Sequence, residues 1–383
     1  MKNEIPTVDY QSLFTLPPQD QLRLFADMRS VYPTRVIRCA DKASVLDVGA
    51  SVNFLYAADG QSLGIDDFMQ RYRSTGLLIL KRGRIVCERY ALGHTQQTRW
   101  ISFSMAKSIS STLVGAALHD GLIASLDEPV VNTIAQLRGS AYDGVSIRDV
   151  LQMSSGVRWI ETYLDPHSDR RKMLSLQALE RPGAVLDYMR TLPRVAAPGK
   201  RFNYNTSETY LLGAILSGAI GQPLSEYLSD KIWRPCGMQS DAYWQLETPD
   251  GQEFAGSGIS ATLRDYARFG RFVLADGVVS GRRVLPEGWI AQATAVEPGS
   301  RLAPGALPGF EPLGYGYQWW TFRSSGRGRI FGALGIFGQQ IYVDVDEDLV
   351  IVLNGAWPQP VHDPSRLESY VFFNAATNAL RDL

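Results

Sequence analysis

The chain has 383 residues, a formal net charge of -1, 45% hydrophobic and 20% charged residues, the balance of an ordinary globular protein long enough to bury a large core. That balance excludes a nucleic-acid footprint: Lys and Arg are scattered, and the densest basic clusters, SDRRK at 168–172 and RSSGRGR at 323–329, read as short solvated loops. The opening MKNEIPTVDYQSLF carries no apolar h-region and no stretch approaches the ~18 apolar residues of a membrane span, so a cytoplasmic location is expected. Cys39, Cys87 and Cys236 lie far apart without metal-ligand spacing, as reduced thiols would.

Residues 1–60 are mixed in character and broken by proline, and read as an N-terminal extension. From Gly76, GLLILKRGRIVCERYALG sets two apolar runs on either side of Lys-Arg-Gly, a β-hairpin signal. The hairpin leads to SFSMAKSISSTLVGAALHDG at 102–121, an apolar, helix-like run with Ser104 and Lys107 at its front. Between about 120 and 250, SIRDVLQMSSG, SLQALERPGAVLDYMRTL and TSETYLLGAILSGAIGQPLSEYLSDKIWRPCGM repeat apolar residues at helical spacing, punctuated by Gly156, Gly221 and Pro235. GSGISATLRDYARFGRFVLADG reads as a further helix pair. GYGYQWWTF, RIFGALGIFGQQIYVDV and DLVIVLNGAW have strand length and β-branched, aromatic character, and SRLESYVFFNAATNALRDL closes the chain as an amphipathic helix. Strands at both ends with helices between them predict an α/β sheet domain of residues 61–118 and 255–383, a helical domain of residues 119–254, and a cleft between them.

On a helix, positions i and i+3 share a face, so the Lys107 ammonium can lie beside the Ser104 hydroxyl, which is a poor nucleophile until a neighbour takes its proton. A helix cap and a snorkelling lysine would leave the same two letters, so the surroundings decide. APGKRFNYNTSETYLLG places Tyr204 between a Pro-Gly turn and an apolar helix, where its hydroxyl could face the cleft. FGALGIFGQQIYV interrupts a strand with Gly332, Gly335 and Gly338. Such an edge either packs tightly on a helix or offers N–H groups to a developing oxyanion.

In order and spacing, residues 65–380 resemble the serine β-lactamase-like family of class C β-lactamases, penicillin-binding proteins, carboxylesterases and nylon-oligomer (6-aminohexanoate-dimer) hydrolases. SIRDVLQMSSGV is similar to its Ser-Gly segment, PGKRFNYNTSETYLLG to its Pro-Gly and tyrosine block, and GSGISATLRDYARFG to its Gly-rich helix start. The resemblance implies a β-lactamase/transpeptidase-like α/β (α+β) fold, an antiparallel sheet flanked by helices with a mainly helical second lobe. It implies Ser104 as the acyl-forming nucleophile, Lys107 as its partner in proton transfer and Tyr204 as the catalytic tyrosine. The oxyanion hole would be the backbone N–H groups of Ser104 and Ile336. Which of Lys107 and Tyr204 takes the first proton is left open by the sequence. For Lys107 to accept a proton near neutral pH, desolvation must bring its pKa from ~10.4 toward ~7 to 8.

Two departures narrow the substrate. Thr206 stands where β-lactamases commonly carry asparagine, and Ala333-Leu334-Gly335 where many relatives read Lys-Thr-Gly. Losing that cation points away from β-lactamase or D-amino-acid peptidase activity and toward small esters and linear amides. The loop bearing Glu161, Tyr163 and Asp165 either lies over the cleft, with Tyr163 hydrogen-bonding a substrate amide, or is an exposed polar loop. Tyr163, Thr206 and Gly335 are the candidate substrate-side residues.

Two readings compete. Gly60-Gln61-Ser62-Leu63-Gly64 spells the G-x-S-x-G nucleophile elbow, with one of His94, His119, His167 or His362 to complete a triad. A catalytically silent binding protein of the same fold is the other. No H-x-x-x-H or C-x-x-C pair supports a metal, and DVDEDLV at 344–350 reads as a charged hairpin turn rather than a calcium loop. The expectation is a serine hydrolase without cofactor, acting on a small-molecule ester or amide.

Overall fold

The computed structural model describes residues 10–323 and 328–383. Residues 324–327, the middle of the second basic cluster, lie outside the described residues, as do the first nine. In chain order the elements are α1 (Pro18–Ala26), β1 (Thr34–Ile37), β2 (Tyr56–Ala58), β3 (Gln61–Leu63), α2 (Ile65–Arg71), β4 (Ser74–Lys81), β5 (Arg84–Tyr90), β6 (Arg99–Ile101) and α3 (Met105–His119). Then come α4 (Val130–Thr133), α5 (Ile147–Leu151), α6 (Asp169–Gln177), α7 (Ala184–Thr191), α8 (Thr206–Ile220), α9 (Leu224–Leu228), β7 (Ala242–Gln245), β8 (Ile259–Thr262) and α10 (Leu263–Leu274). The last third holds β9 (Val278–Val279), β10 (Arg282–Arg283), α11 (Trp289–Thr294), β11 (Gly314–Tyr315), β12 (Trp320–Thr321), β13 (Ile330–Gly335), β14 (Gln339–Asp344), β15 (Leu349–Gly355) and α12 (Asp363–Leu380).

Seven strands form an antiparallel sheet in the order β11-β12-β13-β14-β15-β4-β5. Every residue of β4, β14 and β15 is buried, so their sequences run apolar without alternation. Successive side chains still point to opposite faces. Leu78, Leu80, Ile341, Val350 and Val352 meet Phe269 and Val273 of α10 and Ile109 of α3, while Leu77, Ile79, Ile351 and Leu353 meet Phe68 of α2 and Phe372 and Phe373 of α12. Each such buried aliphatic side chain contributes about 1.5–3 kcal/mol. The β4–β5 turn has Arg82 at φ 50° and Gly83 at φ 72°, the paired left-handed residues that a two-residue hairpin requires. The mixture of helices and antiparallel sheet is the α/β architecture that the resemblance implied.

A second sheet, β1-β7-β8-β6, carries the chain to Ser104. It differs from the sequence expectation at two places. Ile259–Thr262, read as helix, is the strand β8; all four of its residues are buried, which erases the alternation that would have marked it. Thr262 then caps α10 by accepting from the Asp265 N–H. β1 comes from the stretch read as an extension and pairs with β7. In that same stretch Leu13, Phe14, Leu24, Phe25 and Tyr32 are buried against Trp100, Phe103 and Phe337.

SDRRK is not a solvated loop. It opens α6, with Ser168 as its cap, and Asp169 and Arg170 are buried because each meets an opposite charge: Arg158 at 3.1 Å and Glu161 at 3.8 Å. The three cysteines are free thiols. Among the described residues no helix is long and apolar enough to cross a membrane, and no group of three or more His, Cys, Asp or Glu is placed to hold a metal ion.

Candidate active site

The chain leaves β6 through Phe103, whose φ of 43° turns it sharply into α3. Ser104 sits at the N-cap with helical φ and ψ of -69° and -5°, and its side chain makes no capping bond. Its hydroxyl is therefore available, and Lys107 Nζ lies 2.9 Å from Ser104 Oγ. Lys107 is 1% exposed, and its Nζ also donates to Thr206 Oγ1 at 3.1 Å and to the Gly256 carbonyl at 2.8 Å. All three partners are uncharged. Burial lowers the Lys107 pKa to about 7, with the Glu161 carboxylate pulling it up and Arg170 pushing it further down.

Tyr204 is brought in by the turn before α8, where Asn205 caps the helix by accepting from the Ser207 and Glu208 N–H groups. Its ring stacks on Trp320 at 5.4 Å and its centroid lies 5.0 Å from Lys107 Nζ. Burial and the nearby Glu161 charge raise the Tyr204 pKa, against a hydrogen bond with the Ser104 side chain that lowers it. The phenol is thus neutral at physiological pH.

Opposite Ser104, β13 ends at Gly335. A Cβ there would stand 2.5 Å from Ser102 O and 3.1 Å from Ser104 N, so only glycine lets the strand end approach the serine backbone this closely. Ile336 follows, then Phe337 at φ 60°. Gln339 holds this turn: its Nε2 donates to the carbonyls of Ile336, Phe337 and Gly355 at 3.3, 3.1 and 2.7 Å, and its Oε1 accepts from Trp100 Nε1 at 2.8 Å.

A cavity of about 570 Å³ opens over these groups, lined by Ser104, Tyr163, Tyr204, Gly335 and Ile336, with Phe310 and Trp320 among its apolar walls. The structure therefore gathers Ser104, Tyr204, Gly335, Ile336 and Tyr163 on one surface, with Lys107 directly beneath. Thr206 does not line the cavity; its hydroxyl accepts from Lys107 and donates to Glu161. Ser62 is elsewhere, exposed on the β2–β3 hairpin, and no histidine lines the cavity. His94 is buried, and burial lowers its pKa to about 4.

The Beta-lactamase family profile matches residues 64–371. The chain belongs to that family. It is 31% identical over 347 residues to a 6-aminohexanoate-dimer hydrolase of Paenarthrobacter ureafaciens, covering 88% of this chain and 85% of the relative. A solved structure of a putative 6-aminohexanoate-dimer hydrolase from Bacillus anthracis superposes with a TM-score of 0.86 at 21% identity over 100% of both chains. An octameric penicillin-binding protein homologue from Pyrococcus abyssi gives 0.63 at 18% identity, covering 82% of this chain and 76% of its own. These last two likenesses speak to the fold. As a member of the Beta-lactamase family the protein is a serine hydrolase, and acyl-enzyme chemistry is general to that family.

Around this cavity, two residues carry more than their sequence context suggests. Glu161 turns inward from its loop: it accepts from the Thr206 N–H at 2.9 Å, from the Thr206 hydroxyl, from Trp159 Nε1 and from Tyr163 Oη at 3.3 Å. Its partner Thr206 is 45 positions away in sequence, so no local pattern announces the bond. Gln339 likewise stands with Gln340 at the head of a strand, buried at 0% exposure. A Gln-Gln pair in an otherwise apolar run is the signal the sequence offers.

Proposed function

We propose that Ser104 is the acylating nucleophile of an enzyme that cleaves small esters and linear amides, with Lys107 as first general base and Tyr204 as the acid to the leaving group. The observation that carries this reading is the buried Lys107 ammonium, 2.9 Å from Ser104 Oγ, with its pKa lowered to about 7. A neutral amine at Lys107 donates its two protons to Gly256 O and Thr206 Oγ1 and turns its lone pair to the serine hydroxyl. Thr206 can accept there because its own proton is given to Glu161.

Ser104 Oγ attacks the carbonyl carbon as its proton passes to Lys107 Nζ. The carbonyl oxygen gathers negative charge against the N–H groups of Ser104 and Ile336, and Ser104 at the head of α3 adds the positive end of the helix dipole. As the carbon–heteroatom bond breaks, the Tyr204 phenol protonates the leaving alkoxide or amine, and Lys107⁺ returns the proton to Tyr204. Water then attacks the ester of Ser104, giving a proton back through the same pair in reverse.

Ala333 stands where many relatives carry the lysine of Lys-Thr-Gly, so this strand supplies no cation to hold a β-lactam carboxylate. The 31%-identical relative is named for hydrolysis of a 6-aminohexanoate dimer, a linear amide, and that substrate class is extended here to this chain. Tyr163 lines the same cavity as Ser104, which supports assigning it a hydrogen bond to such an amide. The free thiols accord with a cytoplasmic site of action. The test is hydrolysis of p-nitrophenyl acetate and butyrate by the wild type, Ser104→Ala and Ser62→Ala, each checked for folding by circular dichroism. Loss in Ser104→Ala alone is expected; loss in Ser62→Ala alone would transfer the chemistry to the hairpin serine.

A further inference from the structure

Each of the two proposed oxyanion donors stands next to a non-glycine residue with left-handed backbone. Phe103 precedes Ser104 with φ 43°, and Phe337 follows Ile336 with φ 60°. A left-handed backbone is unfavourable for a bulky aromatic residue and must be held by what packs around it. Both side chains are buried, at 3% and 0% exposure, and the rings lie 5.3 Å apart. A third ring from a distant part of the chain packs against both. Phe25, at the end of α1 and fully buried, has its centroid 5.0 Å from Phe103 at 83° and 5.0 Å from Phe337 at 54°. It also meets Trp100 edge-on at 5.8 Å, and Trp100 is the indole that donates to Gln339, the residue holding the Ile336–Phe337 turn.

α1 is itself fastened to the sheet. Arg73 donates from Nη2 to Pro18 O at 2.8 Å and from Nε to Ala356 O at 3.0 Å, tying the start of α1 to the chain just after β15. The geometry points to Phe25 as a positioning residue for the oxyanion hole: one ring that fixes the turn before Ser104 and the turn after Ile336 together, and so sets the spacing of their N–H groups. The inference rests on the oxyanion assignment proposed above. Phe25 lies outside residues 64–371, so this brace is supplied by a segment beyond the part of the chain that matches the family.

Loss of the ring must therefore appear in the transition state and not in substrate binding. Phe25→Leu is expected to lower kcat on p-nitrophenyl butyrate by about tenfold or more with KM unchanged, since small misplacements of catalytic groups cost this much or more. Labelling by a fluorophosphonate ester, whose phosphoryl oxygen needs the same two donors, should slow in parallel. Phe372→Leu is the stability control. Phe372 is equally buried and stacks on Phe68 at 4.1 Å, on the α12 side of the sheet, so it should lower Tm while leaving kcat and labelling unchanged. If Phe25→Leu does not fold, Phe25→Met, similar in volume to leucine but unbranched and more adaptable in shape, reads the same quantities. A Phe25 variant that loses Tm as Phe372→Leu does but keeps wild-type kcat overturns the brace and leaves the acyl-enzyme reading standing. A wild type inert to every ester overturns both.

Discussion

Lys81 and Lys107 are both buried, at 4% and 1% exposure, in regions built to different ends. At the end of β4, Lys81 Nζ meets the Glu347 carboxylate at 3.0 Å and the Glu347 carbonyl at 2.7 Å, so the charge taken out of water finds an opposite charge. At the front of α3, Lys107 Nζ meets a serine hydroxyl, a threonine hydroxyl and a carbonyl, and the carboxylate of Glu161 stands one residue further off, behind Thr206. The first arrangement serves the fold, because the ion pair holds two turns together. The second, in the mechanism proposed above, gives up stability for a base: with only neutral partners, desolvation lowers the Lys107 pKa to about 7.

The comparison is sharpened most by exchanging each lysine for a residue of similar shape without charge. Lys107→Met is expected to cost about 10²–10⁴-fold in kcat on p-nitrophenyl esters, the range for a lost general base. It should also raise Tm by several degrees, because an apolar side chain replaces a buried amine. The pH dependence of that gain follows from linkage. The folded-state pKa of Lys107 lies near 7, below its unfolded value, so the destabilisation is complete below about pH 7 and is relieved as pH rises above it. Thermal melts from pH 6 to 9 should therefore show the Lys107→Met advantage shrinking with pH. Lys81→Met should do the reverse, lowering Tm while leaving kcat within about twofold, as expected away from the chemistry.

A smaller effect is read in the pH profile. With Lys107 as base, kcat/KM falls as pH drops through about 7, where the amine becomes protonated. Glu161→Gln removes the negative charge that raises the Lys107 pKa, so the acid limb should move to lower pH, measurable on a pH-insensitive ester. An unmoved limb would detach Glu161 from Lys107.

The same contrast explains what could be read in the sequence. The β4–β5 hairpin announces itself because its two apolar runs and its Arg-Gly turn are local. β8 carries no strand signal because a strand buried on both faces shows no period. Ser104 and Lys107 share a helix face by spacing alone, whereas the approach of Tyr204 rested on resemblance, since nothing local joins positions 104 and 204. Glu161, Gln339 and Phe25 were beyond reach for a physical reason. Each acts through a partner supplied by a different element, such as Thr206 for Glu161 and Trp100 for Gln339, and such partners exist only once the chain has folded. The charged run SDRRK was misread for the same reason, its partners Glu161 and Arg158 lying outside the run.

The most direct measurement is the site of covalent modification. The protein would be incubated with a fluorophosphonate ester, or quenched in acid during turnover of p-nitrophenyl butyrate, then digested and mapped by mass spectrometry. The adduct should appear on the peptide holding Ser104, and Lys107→Met should abolish it. An adduct on the Ser62 peptide, or ester turnover with no adduct on Ser104, would contradict the account at its centre.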